Sequence, residues 1–314
     1  MDSISHPPSD LVVILMCTYN GAIFLQDQLD SIAAQTHSNW RLVVSDDGSH
    51  DETLTILRDY QRRWGEDRLE IRFGPRRGFC QNFLSLGCDP TINGPFFAFC
   101  DQDDVWLEHK LAIALKYSNT SIEPTVPYLY CGRTIYVRES LKVCGYSPHF
   151  LFPETFRNAL VQSIAGGNTM VFNRATKHLL ELWGPKQVPS HDWWLYLIVT
   201  GVGGEVHYDP NPQLLYRQHP NSLVGGNQSI QANIKRAWGL LRGRFRHWNS
   251  QNIAALLHHE MNLTDDNRKI LHLFIRLRFA SLLDRFRLMD VCGLYRQTRS
   301  GTLGLFIAAF LNRI

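Results

Sequence analysis

Phe96-Phe97-Ala98-Phe99-Cys100-Asp101-Gln102-Asp103-Asp104 is the stretch whose reading decides the fold. An apolar run of this length, entered through Pro95 and left through carboxylates, reads as a buried strand ending in charge. The same arrangement occurs earlier, where Leu42-Val43-Val44 leads into Ser45-Asp46-Asp47-Gly48. Carboxylates at the ends of such strands emerge along one rim of a sheet, where open α/β folds place their ligands. Several carboxylates facing one crevice repel one another unless a cation joins them, and a divalent metal bridging a diphosphate meets that demand. These features point to a metal-dependent enzyme acting on a nucleoside diphosphate compound.

Outward from these two runs the pattern alternates. Strands are predicted over residues 11–16, 40–44, 69–73 and 95–100, and helices over 22–35, 52–63, 79–86 and 107–117. Alternation at this pitch means βαβ units, and so an α/β fold with a Rossmann-like, mostly parallel central sheet and helices on both faces. Residues 128–137 read as one strand, 154–161 as a helix, 169–172 as a strand, and a further helix begins near His191-Asp192. After about Ile230 the pattern is helical to the end. Two regions are expected: a catalytic domain over 1–226 and a basic, helical C-terminal extension over 227–314.

The 314 residues suffice for one large domain with an appendage, and 44% hydrophobic with 19% charged content excludes a disordered chain. The net charge of +3 conceals an asymmetry: residues 231–314 hold 14 of the 32 basic but only 5 of the 29 acidic side chains, net +9, leaving the preceding residues at net −6. The seven cysteines (17, 80, 88, 100, 131, 144 and 292) are odd in number and have no zinc spacing, which reads as reduced, mostly buried thiols in a cytosolic protein. The start, MDSISHPPSD, has no secretory pattern, and the apolar stretch 303–311 is too short to cross a bilayer. A protein that is neither secreted nor membrane-spanning is expected.

Four segments carry chemistry. Cys17-Thr18-Tyr19-Asn20-Gly21 leaves the first strand as a polar turn: Tyr19 can stack on a base while Thr18 and Asn20 hydrogen-bond it, or the same residues simply cap a helix. In Ser45-Asp46-Asp47-Gly48-Ser49 a carboxylate can accept from a pyrimidine N3–H, although capping explains two adjacent aspartates as well. Asp101, Asp103 and Asp104 offer more carboxylates than a helix cap needs, and hard oxygen donors at this spacing suit Mg²⁺ or Mn²⁺. Asp192, beside Trp193 and Trp194, suits a sugar site, with aromatic walls stacking on the ring and a base taking a hydroxyl proton; read alone, an N-cap with two core tryptophans suits it better.

The ordered series CTYNG, SDDGSHDET, GFCQNF, CDQDDVW, AGGNTMVFNR, HDWW and YRQHPNSLVG, spread over about residues 11–225, resembles the family 2 glycosyltransferases, inverting enzymes of the GT-A fold, and is most similar to a bacterial rhamnosyltransferase subgroup. The resemblance implies that Thr18, Tyr19, Asn20, Asp46, Asp47, Gly78, Asp101 and Asp103 hold the nucleotide sugar. It implies that Asp103, Asp101 and His219 serve the metal, and that Gly166, Gly167 and Asn168, with Trp193 and Trp194, form the floor between donor and acceptor. Asp192 then stands as catalytic base. His219 reads equally as a solvated loop histidine. His191 occupies a position where many relatives have Glu, and the QxxRW motif of processive members is missing, so one sugar per encounter is expected.

The implied reaction is metal-dependent transfer of L-rhamnose from dTDP-L-rhamnose to a saccharide or lipid-linked saccharide in surface-polysaccharide synthesis. A UDP-hexose donor is the alternative within this chemistry, and a catalytically silent scaffold the alternative outside it. In the tail, Lys235, Arg236, Arg242, Arg244 and Arg246 surround the stripe Trp238, Leu241, Phe245 and Trp248. Such a helix either grips an anionic bilayer or docks on the catalytic domain. The first reading makes the protein cytoplasmic and peripheral on the inner face of the cytoplasmic membrane; nucleic acid is not expected as a partner.

Overall fold

In the computed structural model, residues 10–119, 123–218 and 243–314 are described. The chain opens with β1 (Val12–Thr18), α1 (Ala22–Ala33), β2 (Trp40–Asp46), α2 (Thr53–Trp64), β3 (Leu69–Phe73), α3 (Phe79–Gly87) and β4 (Phe96–Cys100). β1 pairs in parallel with β2 on one side and with β4 on the other, and β2 pairs in parallel with β3. The strand order therefore reverses beside β1, which opens a crevice at the carboxyl ends of β1 and β4.

Alternation along β1 divides the core. Val12, Ile14 and Met16 join Leu25, Leu29 and Leu57 on one face, while Val13, Leu15 and Cys17 join Phe83, Leu84 and Trp194 on the other. Every residue of β1 is buried, which is why the strand reads as an uninterrupted apolar run.

After β4 come β5 (Val105–Trp106), α4 (Lys110–Asn119), β6 (Tyr128–Gly132), β7 (Ile135–Arg138), β8 (Val143–Tyr146), α5 (Phe156–Ala159), β9 (Val171–Asn173), α6 (Arg174–Trp183), α7 (His191–Gly201), β10 (Glu205–Asp209) and β11 (Leu214–Gln218). The main sheet has seven strands in the order β10-β6-β9-β4-β1-β2-β3, and β9 runs antiparallel to both its neighbours. A second sheet, β5-β11-β7-β8, was not foreseen. The single strand predicted over 128–137 is two strands in different sheets, because the chain changes sheet at Gly132-Arg133-Thr134. The helix predicted from 107 begins at Lys110, and the one predicted over 154–161 is a single turn, α5.

The helical tail comprises α8 (Arg244–Leu257), α9 (Asp265–Phe279), α10 (Leu282–Cys292) and α11 (Arg299–Phe310). Phe245, Leu256, Leu271, Phe274 and Met289 belong to the same apolar cluster as Trp194 and Leu197 of α7. Asn158 and Gln162 reinforce this packing: Asn158 Nδ2 donates to the Tyr295 carbonyl (3.0 Å) and Gln162 Oε1 accepts from the Gln297 amide (2.8 Å). The boundary expected at 226/227 lies outside the described residues, as do Trp238 and Leu241 of the expected stripe and the flanking Lys235, Arg236 and Arg242. Its other two members face inward. Phe245 stacks on Trp193 (6.3 Å between centroids) and Trp248 meets the same indole edge-on (6.4 Å), so for these two side chains docking on the catalytic domain replaces the membrane-facing expectation. Among the described residues no helix is long and apolar enough to cross a membrane.

Candidate active site

The carboxyl ends of β1, β2 and β4 lie level: Thr18 is in register with Asp46, and Met16 with Cys100, so Asp101 leaves the sheet beside Cys17. Cys17 locates the convergence. Its thiol is pushed well up, first by burial and then by the charges of Asp101 and Asp47. Asp101 is itself pushed up to about 8 by burial and then by the like charges of Asp103 and Asp192. Cys80, on α3, is pushed up to about 12 by burial and by Asp192. Carboxylates distant in sequence therefore act on one another across a single rim.

The two loops beside β1 are stitched together. Asp46, 1% exposed, accepts from Thr18 Oγ1 (2.8 Å), Ser49 Oγ (2.6 Å) and the amides of Gly48 (3.1 Å) and Ser49 (2.8 Å). Both Asp46 and the Thr18 hydroxyl, expected at the nucleoside, are held in the turn: a carboxylate with four donors around it braces its loop. Asn20, at φ +48°, accepts from the His50 amide (2.9 Å) and donates its own amide to Ser49 Oγ (2.8 Å), a second joint between the same loops. Asp47 faces the next loop, accepting from the amides of Arg76 (2.6 Å) and Gly78 (2.9 Å). Gly78 sits at φ +83°, a conformation that favours glycine, and precedes α3. Tyr19 is 54% exposed, and its backbone is held on both sides by one amide: its N–H donates to Gln102 Oε1 (2.8 Å) and its carbonyl accepts from Gln102 Nε2 (3.0 Å). Gln102 was passed over in the sequence; an amide inside an acidic cluster, able to donate and accept where a carboxylate only accepts, is the signal that marks it.

The three acidic residues after β4 are not equivalent. Asp104 is buried and fixed: Asn168 Nδ2 donates to it (2.5 Å), as does the Arg217 amide (3.3 Å), and burial with the charges of Asp103 and Asp101 pushes its carboxyl well up. Asp101 and Asp103 remain as oxygen donors on the rim, and the mutual repulsion around Asp101 is what a hard divalent cation would relieve, so the donor set fits one. Among the described residues no three His, Cys, Asp or Glu side chains converge on a common metal position, and His219 lies outside the described residues. Arg217, also unforeseen, fastens this segment from below: its Nε donates to the Asp103 carbonyl (2.9 Å), Nη1 to the Glu139 carbonyl and Nη2 to Asp27 Oδ2 (2.8 Å).

Gly167, Asn168 and Thr169 form one short 3₁₀ turn, and Asn168 ties it to Asp104. A Cβ on Gly167 would lie 2.2 Å from His191 Nε2, so glycine here lets α7 approach. A Cβ on Gly166 would lie 2.7 Å from Asn168 Oδ1. His191 is buried, stacked on Phe83 (3.9 Å) and edge-on to Phe99 (4.9 Å), and burial lowers it to about 4, so the imidazole is neutral. Asp192 follows on the first turn of α7, half-buried, with Oδ1 accepting from the Trp193 amide (2.6 Å).

The expected aromatic walls are absent from this position. Trp193 is buried with Nε1 donating to the Ala159 carbonyl (2.6 Å), and Trp194 is fully buried against Trp183 (5.6 Å). Both belong to the core because every residue of α7 except Asp192 is buried.

Residues 13–170 match the family described as Glycosyl transferase family 2. The dTDP-rhamnosyl transferase RfbG of Shigella flexneri is 29% identical over 259 residues, covering 77% of this chain and 84% of that protein. Among solved structures, the mannosyltransferase PcManGT from Pyrobaculum calidifontis, in complex with GDP-Man and Mn²⁺, superposes with a TM-score of 0.54 at 18% identity, over 98% of this chain and 88% of that one. TarS 1-349 of S. aureus, in complex with UDP-GlcNAc, gives 0.54 at 15% identity, over 83% of this chain and 86% of that one.

Proposed function

The chain belongs to glycosyl transferase family 2 and is a glycosyltransferase of the GT-A fold, and from that premise we propose that it transfers L-rhamnose from dTDP-L-rhamnose, with inversion, to a hydroxyl of a saccharide or lipid-linked saccharide in bacterial surface-polysaccharide synthesis. The observation that carries the reading is that Asp103, after β4, and Asp192, at the start of α7, both bear on the buried Asp101. Asp192 stands on rigid helix, oriented by the Trp193 amide, and takes the acceptor proton as that oxygen forms its bond to the anomeric carbon. The bond from the same carbon to the diphosphate breaks on the opposite side, and its electron pair leaves with the diphosphate. Configuration at that carbon is therefore inverted.

Asp47, Tyr19 and Gly78 define the nucleoside end. The half-exposed Tyr19 ring offers a stacking surface, and Asp47 braces the loop carrying Arg76 and Gly78. Asp101 and Asp103, with His219 from beyond the described residues, would hold Mg²⁺ or Mn²⁺. When bound, the ion supplies positive charge to the departing diphosphate. The Gly167–Thr169 turn positions Asn168, which fixes Asp104 and so the backbone that presents Asp101 and Asp103.

Thermal-shift screening of nucleotide sugars with and without Mn²⁺ tests the donor, because stabilisation grows with ligand concentration over Kd. dTDP-L-rhamnose with Mn²⁺ is expected to give the largest shift and, with acceptor, a glycosylated product. A larger shift with a UDP-hexose would replace the donor; free sugar as the sole product would replace transfer by hydrolysis.

A further inference from the structure

The last two helices carry an apolar surface that no part of the described chain covers. On α11 the buried side is Leu305, Ala308 and Ala309, yet the opposite side is equally apolar: Leu303, Phe306, Ile307 and Phe310 recur at i, i+3, i+4 and i+7 and are exposed. A helix apolar on every side is normally enclosed by protein or by lipid. On α10, Leu283 and Phe286 are exposed while Leu288, Met289 and Cys292 are buried. Phe279, at the end of α9, and Leu283 are each about three-quarters exposed. The stripes meet where Phe286 and Phe310 pack at 6.2 Å, beside a hydrogen bond from Arg285 Nη1 to the Phe310 carbonyl (3.3 Å). The result is one continuous apolar face built from two helices.

Charge identifies its occupant. Residues 276–314 hold seven arginines (276, 278, 285, 287, 296, 299 and 313) and two acidic side chains (284 and 290), net +5. Arg276, Arg287 and Arg299 are exposed, and helical spacing puts them beside Phe279, Leu283 and Leu303 of the apolar face. Bare phenyl and alkyl groups ringed by exposed guanidinium groups match the two layers of an anionic leaflet, acyl chains beneath and phosphates above. A second copy of this chain would set the same arginines against one another.

We propose that α10 and α11, with the end of α9, form the surface by which this protein docks on an anionic membrane. This differs from the Trp238–Trp248 stripe expected from the sequence, of which Phe245 and Trp248 are turned onto Trp193. Shallow insertion of Leu283, Phe286, Ile307 and Phe310 supplies the apolar contribution, and the arginine ring supplies the preference for acidic headgroups. The proposal stands independently of which sugar is transferred.

The test is co-sedimentation of the full-length protein with vesicles of phosphatidylcholine alone or mixed with phosphatidylglycerol, with circular dichroism as a folding check and light scattering for oligomeric state. The wild type should sediment with the acidic vesicles and stay in solution with the neutral ones. Ile307→Glu/Phe310→Glu should reduce binding by about tenfold or more with the fold unchanged. Arg287→Gln/Arg299→Gln, which leaves the apolar face intact, should weaken binding about tenfold and make the remaining binding less sensitive to salt. No sedimentation of the wild type, or undiminished sedimentation of both variants, overturns the proposal. So does a wild-type dimer that Ile307→Glu/Phe310→Glu converts to monomer while vesicle binding is retained, since the face would then belong to a second copy.

Discussion

Gly167→Ala isolates the contact that sets the distance between the Gly167–Thr169 turn and α7. The added Cβ would lie 2.2 Å from His191 Nε2 and 3.1 and 3.2 Å from two ring carbons. The imidazole has little room to yield, being stacked on Phe83 at 3.9 Å and flanked edge-on by Phe99 and Phe79. Overpacking a filled site costs about 1–3 kcal/mol, and an overlap exceeding an ångström places this substitution near the upper figure. With an unfolding entropy of about 0.7 kcal/mol/K for a chain of this length, about 3 kcal/mol lowers Tm by about 4 °C. The turn also carries Asn168, whose amide holds Asp104 at 2.5 Å, so turnover should fall together with stability. Urea unfolding and calorimetry measure the first effect and a product assay the second. His191→Ala removes the obstructing ring, so the double variant should recover about 1–2 kcal/mol relative to the sum of the single changes. An unchanged Tm for Gly167→Ala, or the same penalty in both backgrounds, would refute the reasoning.

Three further outcomes follow from the site. Asp192→Asn should lower the rate of transfer by about 100-fold or more while leaving donor affinity within about twofold, measured by single-turnover product formation and nucleotide-sugar titration. His191 sits at about 4 in the folded chain against its ordinary 6.5, so between these values the unfolded chain holds a proton that the folded one lacks. Stability should therefore rise with pH across that window and be lost as pH falls through it, by about 3 kcal/mol, and urea unfolding of His191→Leu should show a flatter profile there. Asp101 carries the opposite sign. Held up to about 8 against an ordinary 3.8, it keeps a proton in the folded chain that the unfolded chain has lost, so without a cation its contribution falls as pH rises through that range. Stabilisation by Mn²⁺ with nucleotide should grow from pH 6 to 8 in thermal-shift assays, and a pH-independent shift equal to that of Asp101→Asn would contradict this.

The parts of the fold legible in the sequence are those where one physical cause dominates. β1, β2 and β4 are buried on both faces, so they read as continuous apolar runs, and the glycine and carboxylate turns after them follow directly. β5 has two residues, too few for any periodicity; β9 was legible as a strand over 169–172, but its antiparallel pairing is decided by distant partners rather than by local pattern. The tryptophans misled for a different reason. Beside a carboxylate they suit a sugar site, but Leu195-Tyr196-Leu197-Ile198-Val199 follows without a polar break, the mark of a helix enclosed on all sides. Arg217 left no local mark, because its partners are the Asp103 and Glu139 carbonyls and Asp27 on α1.

Composition makes the acidic residues of this rim look alike; what separates them is which donors the fold brings to each. Asp46 receives two hydroxyls and two amides, Asp104 a side-chain amide and a backbone amide, and Asp47 two backbone amides. Their negative charge is answered by dipoles of the protein itself, which explains why loops so dense in acid can be rigid. Asp101 instead is buried and meets the fields of Asp103 and Asp192, and its carboxyl resists ionisation first because of burial and then because of those charges. Under the proposed function, a cationic centre would relieve the repulsion that Asp103 and Asp192 exert on Asp101. The first group shapes the loops, and the second marks where the proposed chemistry would take place. Exchanging the roles, by removing Asp46 rather than Asp101, should therefore damage folding more than catalysis: Asp46→Ala leaves the Thr18 and Ser49 hydroxyls and two amides without their shared acceptor, a loss of about 2–4 kcal/mol visible in urea unfolding. Asp101→Asn, by relieving repulsion, should leave the metal-free chain at least as stable as the wild type at pH 8 while weakening Mn²⁺-dependent binding of the nucleotide sugar. Should Asp101→Asn unfold more readily than Asp46→Ala under those conditions, the division of the rim into these two groups would be wrong.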